Sequence, residues 1–265
     1  MSGPAGRERG QNMFKKTLAI LVFLFTTVPA LAQTPDPNKV YINGIDADFP
    51  PFAYVGPDGV PTGFDVDAIN WIANQAGFKV QHQPMEWSGI VTSLKDGKID
   101  MIASGLSVTE ERSAQINFSL NYWTIKQVIL AKADFKQTAE EALKAGLKIG
   151  VQAGTSDAKA MADTNGQDGR KYELVEYASP ALAAQDVANG RIDAAVMNDA
   201  PAAEAVNKLG LKIIGSAGIP DEAFAVGINK KDDKTLKMIN DGLTKLMADP
   251  YWQELIAKYK PGEVH

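Results

Sequence analysis

The chain has no cysteine. That excludes disulfides, thiolate catalysis, cysteine-ligated zinc and a lipidated N-terminal cysteine. Histidine occurs only twice, at His82 and His265. Neither has neighbours that suggest catalysis or metal binding, so no metal or cofactor site is read from the sequence. His82, in a strand flanked by glutamines, is expected to be exposed. A basic excess is also lacking. The net charge is −5, and no positive field invites nucleic acid or an anionic membrane. After the first 32 residues no apolar run is long enough to cross a bilayer.

What is present fits a secreted globular chain of 265 residues, enough for one large domain or two ordinary ones. Hydrophobic content of 45% and charged content of 22% suit a packed core. Lys15-Lys16 forms a positive start, 17–28 a short apolar stretch, and Ala30-Leu31-Ala32 an A-x-A cleavage site. Residues 1–32 are therefore expected to be a cleaved signal peptide, with Met13 the more natural start. The mature chain is expected to be soluble.

Residues 34–39 are a Pro-rich lead-in, and 40–45 reads as a strand. The segment 46–52, with Pro50 and Pro51, cannot be a central strand and is expected as a loop displaying Phe49, with Phe52 in the core. Ile69, Ile72, Ala73 and Ala76 keep helical spacing until Gly77. Trp71 falls beside that stripe and is read as packing. Asp65 and Asp67, near the helix start, are most simply capping and dipole residues. A strand at 79–83, a helix carrying Ile90, Val91 and Leu94, and a strand at 101–103 come next. That order predicts a mostly parallel α/β sheet. A long β-branched run, 124–132, precedes a second series with strands at 147–151, 172–177, 194–197 and 211–214 and helices between. Lys-Asp-Gly-Lys-Ile-Asp at 95–100 is echoed by Ala-Asn-Gly-Arg-Ile-Asp at 188–193. Each reads as a helix ended by a left-handed glycine, and the echo predicts two similar lobes. Two helices, broken at Pro250 and stopped at Pro261, close the chain.

Residues 100–112 organise the rest. A buried strand empties into Ser104-Gly105, and a helix start comes after it, with Ser107 or Thr109 as cap and Arg112 in its first turn. Backbone N–H groups, hydroxyls and a guanidinium converge at one strand end. Such a place suits a small carboxylate, which arginine grips with parallel hydrogen bonds.

Several segments then carry a resemblance: Asp-Ala-Asp-Phe-Pro-Pro-Phe (46–52), Gly-Phe-Asp-Val-Asp (63–67), Gly-Lys-Ile-Asp (97–100), Ser-Gly-Leu-Ser-Val-Thr-Glu-Glu-Arg (104–112), Phe-Ser-Leu-Asn-Tyr (118–122), Gly-Thr-Ser (154–156) and Gly-Arg-Ile-Asp-Ala-Ala-Val (190–196). In this order and spacing they resemble the polar amino-acid-binding proteins of bacterial ABC transporters, solute-binding protein family 3. The resemblance spans nearly all of the mature chain. It implies an α/β type II periplasmic-binding-protein fold, with two lobes, two crossing hinge strands and a ligand cleft between. By analogy the first lobe is 39–123 plus 222–265, and the second is 124–221. The runs at 124–132 and 223–228 would carry the crossings.

The resemblance also implies roles. Arg112 matches the clamp on a ligand α-carboxylate, with Ser104, Gly105 and Ser107 beside it. Thr155 and Ser156 match the contact from the second lobe, where a helix N-terminus favours an anion. Phe49 and Trp87 match an aromatic sandwich, Asp46 an acidic side-chain contact and Gln152 a variable specificity position. The family usually places an aspartate where this chain has Asn198, followed by Asp199. Either Asp199 swings in or the Asn198 amide meets the ligand ammonium, with a weaker bond. The implied protein is a monomeric periplasmic receptor that hands an amino acid, polar or basic, to an ABC transporter permease in the inner membrane. It is not an enzyme on this reading. Two alternatives use the same fold: an enzyme resembling cyclohexadienyl dehydratases, with Asp157 or Glu204 as acid, or a sensor docking on a membrane kinase.

Overall fold

The computed structural model describes Met1, Gly3 and residues 39–261. The chain separates into two compact units, Met1–Ala32 and Gln33–His265. The signal-peptide segment apart from Met1 and Gly3, most of the lead-in at 34–39, and His265 lie outside the described residues. The strands and helices of the described residues belong to the second unit.

Alternating strands and helices build two five-stranded sheets with one shared plan. In the first, the order is Lys79–Met85, Val40–Asp46, Met101–Ile102, Gly227–Ile228 and Asn117–Phe118. In the second it is Tyr172–Tyr177, Leu147–Gln152, Ala194–Asn198, Gln127–Lys132 and Leu211–Ser216. The first three strands of each sheet are parallel, as the strand–helix alternation predicts. The fourth runs antiparallel to both neighbours. The physical reason is connectivity: the fourth strand enters each sheet from the other lobe and so arrives from the opposite end. A two-stranded antiparallel ribbon, Trp123–Ile125 with Glu222–Phe224, links the lobes. Each expected crossing run is thus broken in two, at Lys126 and at 225–226, where the chain leaves the ribbon for a sheet.

The echoed segments behave alike. Gly97 and Gly190 both take φ of 72°, a left-handed conformation that costs glycine no Cβ clash and lets the chain turn straight into the next strand. Thr109, rather than Ser107, caps the helix Glu110–Gln115 by accepting the Arg112 N–H.

The first lobe packs on an aromatic cluster in which Phe52, Phe64 and Phe224 are fully buried against Trp123 and Trp252. Trp71 stacks on Tyr251, as packing. The second lobe buries mainly aliphatic clusters on both faces of its sheet, with Tyr172 in one of them. His82 is not exposed. It is half-buried between Asn70 and Asn43, at 3.0 Å from each, and burial pulls its ring down to about 4. Asp65 and Asp67 do not cap their helix, Phe64–Ala76, whose N-cap is Gly63 without a side-chain bond. Asp67 pairs with Lys258 and Tyr259, and Asp65 turns inward.

Candidate functional site

Three parallel strands of each sheet end at the space between the lobes. Crevices at the carboxyl ends of such strands are the usual ligand sites of open α/β sheets. Asp46 ends Val40–Asp46, Gln152 ends Leu147–Gln152, and Asn198 ends Ala194–Asn198. Ser104 and Gly105 come just after the strand Met101–Ile102. These residues, with Phe49, Trp87, Ser107, Arg112, Thr155, Ser156 and Asp157, line one cavity, with about 270 Å³ of empty space including the part that opens to solvent. Asp199, the other candidate at the strand end, stands outside it. It opens the helix Asp199–Leu209, and its N–H bonds Lys126 O.

Arg112 sits at one end of the cavity, 9% exposed. Its guanidinium donates to Ser107 O at 3.0 Å and to Gly154 O at 3.2 Å. It also lies 5.7 Å from the centre of the Trp87 ring. The fork has donors beyond these two bonds for a bidentate carboxylate. Burial lowers its pKa from the ordinary value, while Glu222, Asp157 and Glu111 act the other way. Across the cleft, Thr155 caps the helix Ser156–Thr164, whose N-terminus faces an anion favourably. Ser156 Oγ donates to Glu222 Oε2 at 2.7 Å, so a residue of the interlobe ribbon braces this helix start.

The opposite end is acidic. Asp46 accepts from Gln152 Nε2 at 2.6 Å. Burial raises the Asp46 carboxyl, with Asp48 and Glu86 adding to the rise and the Gln152 bond opposing it. An added cation there relieves this repulsion. Between the ends stand Phe49 and Trp87, both buried. The Trp87 indole N–H is the one buried side-chain polar atom without a hydrogen-bond partner among the described residues. Asn198 turns its amide N–H toward Gln127 Oε1, at 2.6 Å.

The lobes are closed on each other. Arg112–Gly154, Gln152–Asp46 and a 2.5 Å bond from Ser179 Oγ to Asp48 Oδ2 all cross the cleft. A Cβ on Gly154 would come within 2.8 Å of Ser88 Cα, so this glycine permits the close approach.

Sequence reasoning gave Asp157 only as an acid for the enzymatic alternative. It is buried in the cavity wall, and burial pushes its carboxyl up to about 6. Its place next to Ser156 at the helix start was the available signal. Glu204, the other suggested acid, pairs with Lys208 and is not part of the cavity wall. The Ser179–Asp48 tie had no signal, because its partners are 131 residues apart.

Two similar α/β lobes closing over a small cavity, with a guanidinium at one end and the Asp46 carboxylate at the other, define a two-lobed binding protein for a small solute. The model of bacterial extracellular solute-binding proteins, family 3, matches residues 41–262, and the chain belongs to this family. It is 30% identical over 233 residues to a probable histidine-binding protein of Neisseria gonorrhoeae, covering 87% of this chain and 86% of that one. Among solved structures, an ancestral arginine-binding protein bound to arginine has a TM-score of 0.76 and 31% identity, covering 84% of this chain and 99% of the other. The ancestral amino acid-binding protein AncCDT-1, a precursor of cyclohexadienyl dehydratase, has a TM-score of 0.75 and 32% identity, covering 83% and 95%.

Proposed function

We propose that this protein is a periplasmic receptor for an amino acid, polar or basic, which it carries to an ABC transporter permease. The observation that carries the reading is the cavity between the closed lobes, with buried Arg112 at one end and Asp46 at the other. Arg112 takes the α-carboxylate together with the N-terminus of the helix Ser156–Thr164. Phe49 and Trp87 flank the ligand side chain, and Asp46 with Gln152 meets its tip. Asn198 is the residue nearest in role to an ammonium acceptor, through its amide oxygen. The histidine- and arginine-binding relatives support a cationic side chain, as does the group of Asp46, Asp48 and Glu86. Binding works by closure: a ligand that touches both lobes stabilises the closed form, which is the form a permease reads.

A dehydratase reading is favoured by one observation, the buried Asp157 carboxyl in the cavity, raised by burial to about 6, where a general acid would stand. Thermal shift of refolded protein against the common amino acids and their methylated and opine derivatives tests the receptor reading. One or a few amino acids should raise the midpoint and be recovered unchanged. Turnover of prephenate or arogenate would replace that reading with the enzymatic one.

A further inference from the structure

Asp65 is a buried carboxylate, 2% exposed, that the cavity itself does not use. Its Oδ2 accepts the Gly105 N–H at 2.6 Å and the Tyr122 O–H at 2.8 Å. The two donors belong to different parts of the machinery. Gly105 is in the cavity wall, and a Cβ there would collide with the Phe49 ring, another wall residue, and press on Phe224 of the interlobe ribbon. Tyr122 stands immediately before the ribbon strand Trp123–Ile125, and its own N–H bonds Phe224 O at 3.0 Å. One carboxylate oxygen therefore holds both the floor of the cleft and the root of the link between lobes.

We propose that Asp65 is a positioning residue for ligand capture, coupling the Gly105 wall of the cleft to the Tyr122 root of the interlobe ribbon. This rests on the cleft being the ligand site. The carboxylate is surrounded by Ala68, Ile69, Ala103, Val226, Leu243 and Trp252. Among the described residues the titratable group facing it is the Tyr122 hydroxyl, whose own ionisation burial pushes up. Asp67, on the same helix, points to Lys258 and Tyr259. Burial brings the Asp65 carboxyl up to about 7, against the two bonds. Its charge thus changes near neutrality. The ionised form accepts both bonds as charge-assisted ones, about twice as strong as neutral ones. Protonation weakens the hold on Gly105 and Tyr122 together, so affinity falls as pH drops through this range.

The test is titration calorimetry of the refolded protein with L-arginine from pH 8.5 to 5.5, on wild type, Asp65→Asn and Tyr122→Phe. Wild-type affinity should fall by about tenfold across the step near pH 7, the equivalent of ~1.4 kcal/mol. Asp65→Asn, which keeps the shape and an acceptor, should bind about tenfold more weakly at pH 8 and lose that step. A separate step from Asp157 near pH 6 would remain. Tyr122→Phe should fall between the two. Asp65→Asn binding with wild-type affinity and an unchanged step overturns the proposal. The Gly105 amide proton, followed by NMR without ligand, gives an independent reading. Its resonance should titrate near pH 7 in wild type and stay fixed in Asp65→Asn. An amide that does not titrate in wild type overturns the coupling. Failure of the receptor reading shows instead as no binding of arginine or any other common amino acid while the amide still titrates; if another amino acid binds, it replaces arginine in the titration.

Discussion

Gln152 of the second lobe donates to Asp46 of the first at 2.6 Å, and the same amide group also donates to Ala178 O at 3.0 Å. One side chain thus joins a strand end of one sheet to the loop before the helix Pro180–Asn189 and to the acidic end of the cleft. Beside it, Ser179 caps that helix and donates to Asp48. The acidic end of the cleft is therefore latched as well as charged.

Ser179 is outside the cavity wall, so removing its hydroxyl separates latching from recognition. Ser179→Ala loses a bond to a charged acceptor, worth about 1.5–3 kcal/mol. Ligand release in stopped-flow should quicken by about tenfold or more, with the order of preference among amino acids unchanged. An altered order would mean that Ser179 belongs to the site.

Asp46→Asn removes a charge while keeping the shape and an acceptor for Gln152. If the acidic end reads a cationic side chain, affinity for arginine should fall by roughly tenfold more than affinity for glutamine, a difference of ~1.4 kcal/mol. Calorimetry with the two ligands gives the comparison. Equal losses would place the ligand side chain elsewhere.

Asn198→Asp puts a carboxylate at the end of the strand Ala194–Asn198. A charge-assisted bond to an ammonium is about twice as strong as a neutral one. The variant should bind α-amino acids about tenfold more tightly and be less stable without ligand, because the amide donor to Gln127 is gone. Affinity and unfolding midpoint, measured together, check both parts.

Asp65 also sets a pH dependence of stability. Its folded pKa, about 7, lies above the ordinary value of 3.8. Folding therefore takes up a proton between these values, and this group's contribution to stability falls as pH rises from about 4 to 7. At ~1.4 kcal/mol per unit, ionisation costs at most roughly 4 kcal/mol. Asp65→Asn is expected to be the more stable protein at pH 8 and to lose that advantage near pH 4, by urea unfolding at both. A variant that is less stable at pH 8 would show that the charge-assisted bonds outweigh the burial cost.

Local signals carry much of this architecture. Gly97 and Gly190 mark helix ends because the left-handed turn leaves few other choices, and the strand–helix alternation predicts the parallel part of each sheet. The antiparallel fourth strands are not legible, since they depend on which lobe the chain has just left. The cavity walls are legible where one motif holds them, as at 104–112 and 154–156. Asp65 reads as a helix cap in the sequence because its true partners, Gly105 and Tyr122, are 40 and 57 residues away. His82 reads as exposed for the same reason: both its contacts come from other elements.

The central claim is that Arg112 clamps a ligand carboxylate inside a closing cleft. Titration calorimetry of refolded wild type and Arg112→Ala with L-arginine and L-histidine tests it most directly. Removing one partner of a buried charge pair costs about 3–5 kcal/mol, so the variant should bind at least about a hundredfold more weakly. Saturable wild-type binding lost in the variant is the predicted result. Equal affinity in both proteins, or no saturable heat from wild type with any amino acid, would contradict it.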